Sequence, residues 1–179
     1  MSQPIYLTRD IRRIESEAGA VEPTLMERAG AAAAEHAAAL VSERARDVLV
    51  LAGPGNNGGD AYEAAAILKR RHFRVTVVSP ADPGALPAEA RRAHAKWSDA
   101  GGEVLDEAPS DRPWGLVVDG LFGIGLSRPP DVPYAKLVAL ANAQRCPVLA
   151  LDIPSGLESD TGRARESAVR ATHTLTFIA

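Results

Sequence analysis

Apolar positions along this chain fall in two registers. Short continuous runs at Val48-Leu49-Val50-Leu51-Ala52, Val75 to Val78, Leu116 to Asp119, Val148 to Asp152 and Thr174 to Phe177 have the length of buried strands. Val104-Leu105 is a weaker one. Between them, Ala61 to Arg71, Pro87 to Ala100 and Tyr134 to Gln144 repeat at helical spacing. Two more helices precede the first strand. Thr8 is placed to cap one that runs through Asp10, Ile11, Ile14 and Ala18 until Gly19 interrupts it. The second starts near Thr24 with LMERAGAAAAEHAAALV, whose alanines allow close helix packing. Continuous apolar strands separated by helices predict a three-layer α/β/α, Rossmann-like fold with a mostly parallel central sheet. No repeat or low-complexity linker divides the chain, so residues 1–179 are expected to form one domain, with exposed loops at 79–87 and 106–113.

Composition narrows the function classes. Of 179 residues, 46% are hydrophobic but only 4% aromatic, which calls for a sizeable aliphatic core. A net charge of −3 offers no broad basic surface for nucleic acid or an anionic membrane. Cys146 is the only cysteine, which excludes an internal disulfide and a cysteine-based zinc cluster and suits a buried thiol in a reducing compartment. The N-terminus lacks an apolar signal core and no segment approaches a membrane span, so the expectation is a soluble cytoplasmic protein. His36, His72, His94 and His173 are scattered without metal-ligand spacing. The basic run Lys69-Arg70-Arg71-His72 falls at a helix C-terminus, where the macrodipole favours positive charge. Trp97 and Trp114 are expected to pack under loops.

The candidate chemistry lies at the strand ends, because ligands of open parallel sheets bind beyond the carboxyl ends of the strands. Three such ends read GPGNNGGD from Gly53, DGLFGIGLSRPP from Asp119 and DIPSGLESDTG from Asp152. Strand, glycine turn and helix N-terminus together make an anion site from unpaired backbone N–H groups. Gly53-x-Gly55-x-x-Gly58 formally matches the dinucleotide fingerprint, yet the next strand ends at Val78-Ser79-Pro80 without the usual ribose-binding acid. Asn56, Asn57 and Asp60 add side-chain oxygens that a simple phosphate cradle does not need. Asp119 closes a strand ahead of the glycine-rich Gly123-Ile124-Gly125, and Arg128 can pair with a phosphate bidentately. Asp152 sits on a turn stiffened by Pro154, suited to general acid/base work. Asn57, Asp119 and Ser155 supply hard oxygens from three strand ends, a set that disfavours zinc and allows an alkali or alkaline-earth cation.

In this order and spacing, GPGNNGGD, VVDGLFGIGLSRP and DIPSGLESDTG, with LMERAG at Leu25 to Gly30 and the final THTLTF, resemble the NAD(P)H-hydrate epimerase family, the YjeF N-terminal domain. The resemblance implies interconversion of the R and S epimers of NADHX and NADPHX, cofactors hydrated at C6 of the nicotinamide ring, of which a partner dehydratase accepts the S form. It further implies that the dinucleotide is substrate rather than cofactor. Asn56, Asn57, Gly58, Gly59 and Asp60, then Gly123, Ile124, Gly125, Leu126, Ser127, Arg128 and Pro129, and also Asp152 would bind it, with Asp152 catalytic. Asn57, Asp119 and Ser155 match the family's potassium ligands, and a homodimer is implied. The chain departs from the family pattern at Ala61-Tyr62-Glu63, where a small glycine and apolar residues are usual. The family also carries a lysine shortly after TLTF, whereas this sequence ends at Ala179, so a truncated domain or the N-terminal part of a fusion to a dehydratase is expected. Two other readings compete: a non-catalytic nucleotide-binding or scaffold module of the same fold, and an NAD-dependent oxidoreductase.

Overall fold

Six parallel strands assemble in the order β3-β2-β1-β4-β5-β6. They are β1 (Asp47–Ala52), β2 (Arg74–Val78), β3 (Val104–Leu105), β4 (Leu116–Gly120), β5 (Val148–Leu151) and β6 (His173–Leu175). The computed structural model describes residues 6–18, 21–42, 45–109, 113–126, 129–164 and 166–177. Among these residues, five α-helices accompany the sheet: α1 (Thr8–Ala18), α2 (Leu25–Leu40), α3 (Asn56–Arg70), α4 (Ala88–Asp99) and α5 (Val132–Ala143). The three-layer, Rossmann-like architecture expected from the pattern is therefore the one formed. Period-two alternation sorts β1 between two cores: Val48, Val50 and Ala52 join α2, α3 and α4, while Leu49 and Leu51 join α5 residues Leu137, Val138 and Ala141.

Chain order reverses at β1, whose neighbours are β2 on one side and β4 on the other. A crevice opens at such a switch point because the connections leave in opposite directions. Two expectations need correction here. Helix α3 starts at Asn56, not Ala61, so NNGGD is its first turn rather than a loop ahead of it. Two glycines are poor helix formers, but a Cβ on Gly58 would strike the Gly53 carbonyl. One on Gly59 would come within 2.5 Å of the Met26 methyl and 3.0 Å of the Ala90 Cα. Close approach, not propensity, decides those positions. Strand β5 stops at Leu151, leaving Asp152 outside it with φ of 67°.

Smaller differences have local causes. The loop 79–87 contains the short 3-10 turn Pro83–Ala85, and its Ser79 and Leu86 are buried. Cys146 is only half-buried. Trp97 is buried in the core with its indole N–H donating to the Glu103 carbonyl, and Trp114 is buried as well. Tyr62 and Glu63 turn inward: Tyr62 packs edge-on against His94, and Glu63 pairs with Lys96 at 2.6 Å.

Thr24 caps α2 in a reciprocal box, its hydroxyl accepting from the Glu27 N–H while Glu27 accepts from the Thr24 N–H. The other Glu27 oxygen meets Lys96 of α4 at 2.7 Å, so Lys96 joins Glu27 of α2 to Glu63 of α3. The Lys96 hydrogen bond, followed by that of the Thr24 backbone, holds the Glu27 carboxyl at about 2, below its ordinary 4.5. A depressed carboxylate stabilises the fold above its unfolded value, and that stabilisation disappears as pH falls from about 4.5 toward 2. Replacing Glu27 with Gln is therefore expected to lower Tm near neutrality and to flatten the fall in Tm across that acid window, as measured by circular dichroism melts.

Candidate functional site

A cavity of about 880 Å³ opens at the switch point. Its floor is the turn from β1 into α3, through Pro54, Gly55, Asn56, Asn57 and Asp60, and the segment after β4, Leu121 to Leu126. The two segments press together: the Gly53 N–H donates to the Gly120 carbonyl at 3.0 Å, and a Cβ on Gly53 would collide with the Leu121 carbonyl. Gly55 caps α3 without a side-chain acceptor. The first-turn N–H groups thus meet the cavity uncapped, at the positive end of the helix.

Asp152 stands at the cavity wall after β5. Its backbone is left-handed, a region that aspartate tolerates better than most residues, at a cost of order 1–3 kcal/mol. Two bonds hold it there. Its N–H donates to the Leu175 carbonyl at 2.8 Å, and its carboxylate accepts the Ile124 N–H at 2.8 Å. A Cβ on Gly123 would occupy the place of that carboxylate oxygen. Burial raises the Asp152 carboxyl above its ordinary value, more than the Ile124 bond lowers it. Asp60 is raised well above its usual range, first by burial and then by the charges of Asp152, Glu15, Glu63 and Glu89.

Beneath the cavity, Asp119 and Ser155 are fully buried and bonded together. The Ser155 hydroxyl donates to Asp119 at 2.6 Å, and the Ser155 N–H reaches the second carboxylate oxygen at 2.9 Å. The Ser155 hydroxyl oxygen also accepts the Phe122 N–H at 2.8 Å, and Asp119 accepts that of Leu121. Burial nevertheless lifts the Asp119 carboxyl to about 6. Asn57 lies alongside, its backbone carbonyl against Gly120. Both polar atoms of its buried side chain lack a hydrogen-bond partner among the described residues. An amide left so costs about 1–3 kcal/mol, which is unexplained unless something else engages it.

Among the residues expected at the site, Asn56, Asn57, Asp60, Gly123, Ile124, Gly125, Leu126 and Asp152 do line the cavity. Gly58, packed on Gly53, and Gly59, packed on Met26 and Ala90, are not on the cavity wall, and neither is Pro129. Ser127 and Arg128 lie outside the described residues. Tyr62 and Glu63, at the departure from the family pattern, are not on the wall either.

Helix α1, expected from its spacing, was not expected at the site. Ile11, Arg12 and Glu15 line the cavity from that helix, joined by Pro87, Thr176 and Phe177. Burial, then the charge of Asp152, raises the Glu15 carboxyl, while Arg12 pulls it down. Nor does Thr8 cap its own helix by its side chain. Its N–H and hydroxyl both donate to Asp160 at 2.7 Å, so the N-terminal cap of α1 comes from 152 residues away. Amphipathic spacing in α1 marked a helix but gave no sign of what it would cover.

The chain matches a known family and its members. The family described as YjeF-related protein N-terminus matches residues 22–179. A Bordetella pertussis protein named NAD(P)H-hydrate epimerase is 50% identical over 178 residues, covering 97% of this chain and 77% of that protein. The Escherichia coli protein named bifunctional NAD(P)H-hydrate repair enzyme Nnr is 39% identical over 183 residues, covering 98% of this chain and 35% of that one. The crystal structure of yeast ynu0 superposes with a TM-score of 0.83 at 23% identity, covering 96% of this chain and 79% of that one, and so shares the fold.

Contact between Gly123 and the Asp152 carboxylate yields a direct test. Gly123→Ala is expected to destabilise the fold by about 1–3 kcal/mol in urea unfolding and to speed amide exchange at Ile124. Unchanged Ile124 protection would mean that the Asp152 bond does not depend on that close approach.

Proposed function

The chain belongs to the family of YjeF-related protein N-termini, and on that premise we propose that it is an NAD(P)H-hydrate epimerase, an isomerase interconverting the R and S forms of NADHX and NADPHX. The observation that carries this reading is Asp152: a half-buried carboxyl, held in a left-handed backbone at the wall of a dinucleotide-sized cavity, with its proton affinity raised by burial. In NAD(P)HX the C6 hydroxyl sits beside the ring nitrogen. A protonated Asp152 gives its proton to that hydroxyl, the C6–O bond breaks with loss of water, and the nitrogen lone pair forms an iminium. Water then adds to the opposite face of C6 and returns a proton to the carboxylate. Between the two steps the ionised Asp152 faces a cation, and the carboxyl groups of Asp60 and Glu15 line the same space. The uncapped N-terminus of α3 and the backbone of the 123–126 turn suit the phosphates.

Asn57, Asp119 and Ser155 fit a potassium ion. They are hard oxygen donors, two of them are fully buried, and the unpartnered Asn57 amide offers its oxygen beside them. Bound there, the cation would balance the buried Asp119 and brace the ends of β4 and β5 on α3. A dehydratase acting on the S form, separate or fused, is the functional partner in this reading, in line with the bifunctional name of the Escherichia coli relative. A homodimer and a cytoplasmic setting belong to the same proposal. Among the described residues, no helix is long and apolar enough to cross a membrane.

Two measurements test these assignments. R-NADPHX supplied to the protein, with an S-specific dehydratase as reporter, should be consumed faster than spontaneous epimerisation allows. Asp152→Asn keeps a side chain that tolerates the left-handed backbone, so the fold should survive while turnover falls about 10²–10⁴-fold. Full turnover by that variant would remove Asp152 from the chemistry. For the cation, potassium chloride should raise Tm relative to choline chloride at equal ionic strength, by about 2–4 °C per kcal/mol of binding energy. Asn57→Leu should abolish the difference, and equal melting of the wild-type protein in both salts would count against the potassium site.

A further inference from the structure

Arg12 is the only cationic side chain on the cavity wall among the described residues, and the epimerisation chemistry makes no use of it. It projects from α1 over the turn after β4, with Nη2 3.5 Å from where a Cβ on Gly125 would stand. Because Gly125 has no side chain, the guanidinium and the backbone of the turn face the same space. Arg12 forms no ion pair among the described residues. The other charged groups on the wall are the carboxylates Glu15, Asp60 and Asp152.

A dinucleotide has a use for both signs of charge on this wall. Its nicotinamide ring turns cationic during the reaction and is drawn to Asp152, while its phosphates need a positive partner. Arg12, which lies near enough to Glu15 to lower that carboxyl, offers a planar fork of donors that matches phosphate oxygens. Helix α1 is held across the cavity by a latch distant in sequence. The Thr8 N–H and hydroxyl donate to Asp160, and the Thr8 hydroxyl lies 2.6 Å from that of Ser159. Arg12 follows Thr8 by about one helical turn, so the latch sets how far the guanidinium reaches.

We propose that Arg12 is a phosphate clamp for the substrate, pairing with its phosphate oxygens above the Gly123–Gly125 turn, and that Asp160 is a positioning residue that acts through Thr8 and α1. The proposal rests on the epimerase reading and adds a specificity residue from outside the strand-end motifs.

Kinetics of the full chain with NADHX and NADPHX test it, alongside calorimetric binding of ADP-ribose, which keeps the pyrophosphate and lacks both the reacting ring and the 2′-phosphate. Arg12→Gln is expected to raise KM about tenfold while kcat stays within about twofold, the signature of binding lost equally from ground and transition states. Arg12→Lys should restore part of that loss. Asp160→Ala should raise KM in the same direction with Arg12 intact. Equal losses on both substrates, with weaker ADP-ribose binding, would place the clamp on the pyrophosphate. A loss confined to NADPHX would place it on the 2′-phosphate. The clamp is overturned if Arg12→Gln leaves both KM values and the ADP-ribose affinity unchanged, or if kcat falls while KM holds. Absence of turnover by the wild-type chain would sink the epimerase reading alone, since the ADP-ribose comparison still reports on Arg12.

Discussion

The site depends on one close approach of backbone to backbone, where the turn leaving β1 rests on the end of β4. Gly53 donates to Gly120, and no side chain fits between Gly53 and the Leu121 carbonyl. Gly58 folds back on Gly53 in the same way, which brings the N-terminus of α3 down onto the sheet. A methyl group at either position would push that N-terminus away from the strand end. The distance between the α3 amides and the turn after β4 is thus set by the absence of Cβ atoms. Everything the cavity holds is measured from that contact.

Charge is layered on this frame. Asp119 and Ser155 satisfy each other below the floor, whereas Asn57 beside them keeps an unpartnered amide. Above the floor, burial and then the charge of Asp152 raise the carboxyls of Asp60 and Glu15. Keeping several acids in one partly dry space costs stability, and so does the left-handed backbone at Asp152. Such costs gather where function needs them. Distant parts of the fold bear the structural load instead: the Lys96 junction binds α2, α3 and α4 through Glu27 and Glu63, away from the cavity.

The pattern of the sequence made most of the fold legible. Val48 to Ala52 and Leu116 to Asp119 are continuous apolar runs because both faces of a parallel strand are covered, so their strands could be read directly. The start of α3 could not, since Asn56 to Asp60 carry turn-like residues whose helical state is imposed by packing against Met26, Gly53 and Ala90. Asp152, Asn57, Asp119 and Ser155 were visible as strand-end oxygens. Their division into a cavity wall and a buried layer was not, because burial is a property of neighbours.

By itself, then, the sequence determined the strand and helix alternation, the Rossmann-like class, the family and the acids and glycines at three strand ends, all written in local spacing and composition. Tertiary structure alone decided which of those residues face the cavity, which are sealed beneath it, and that α1 lies across the opening. The reason is separation along the chain. Thr8 finds its capping partner at Asp160, and Arg12 reaches the turn at Gly125, contacts that no local pattern encodes and that exist only once the sheet has brought both ends of the chain to the same edge.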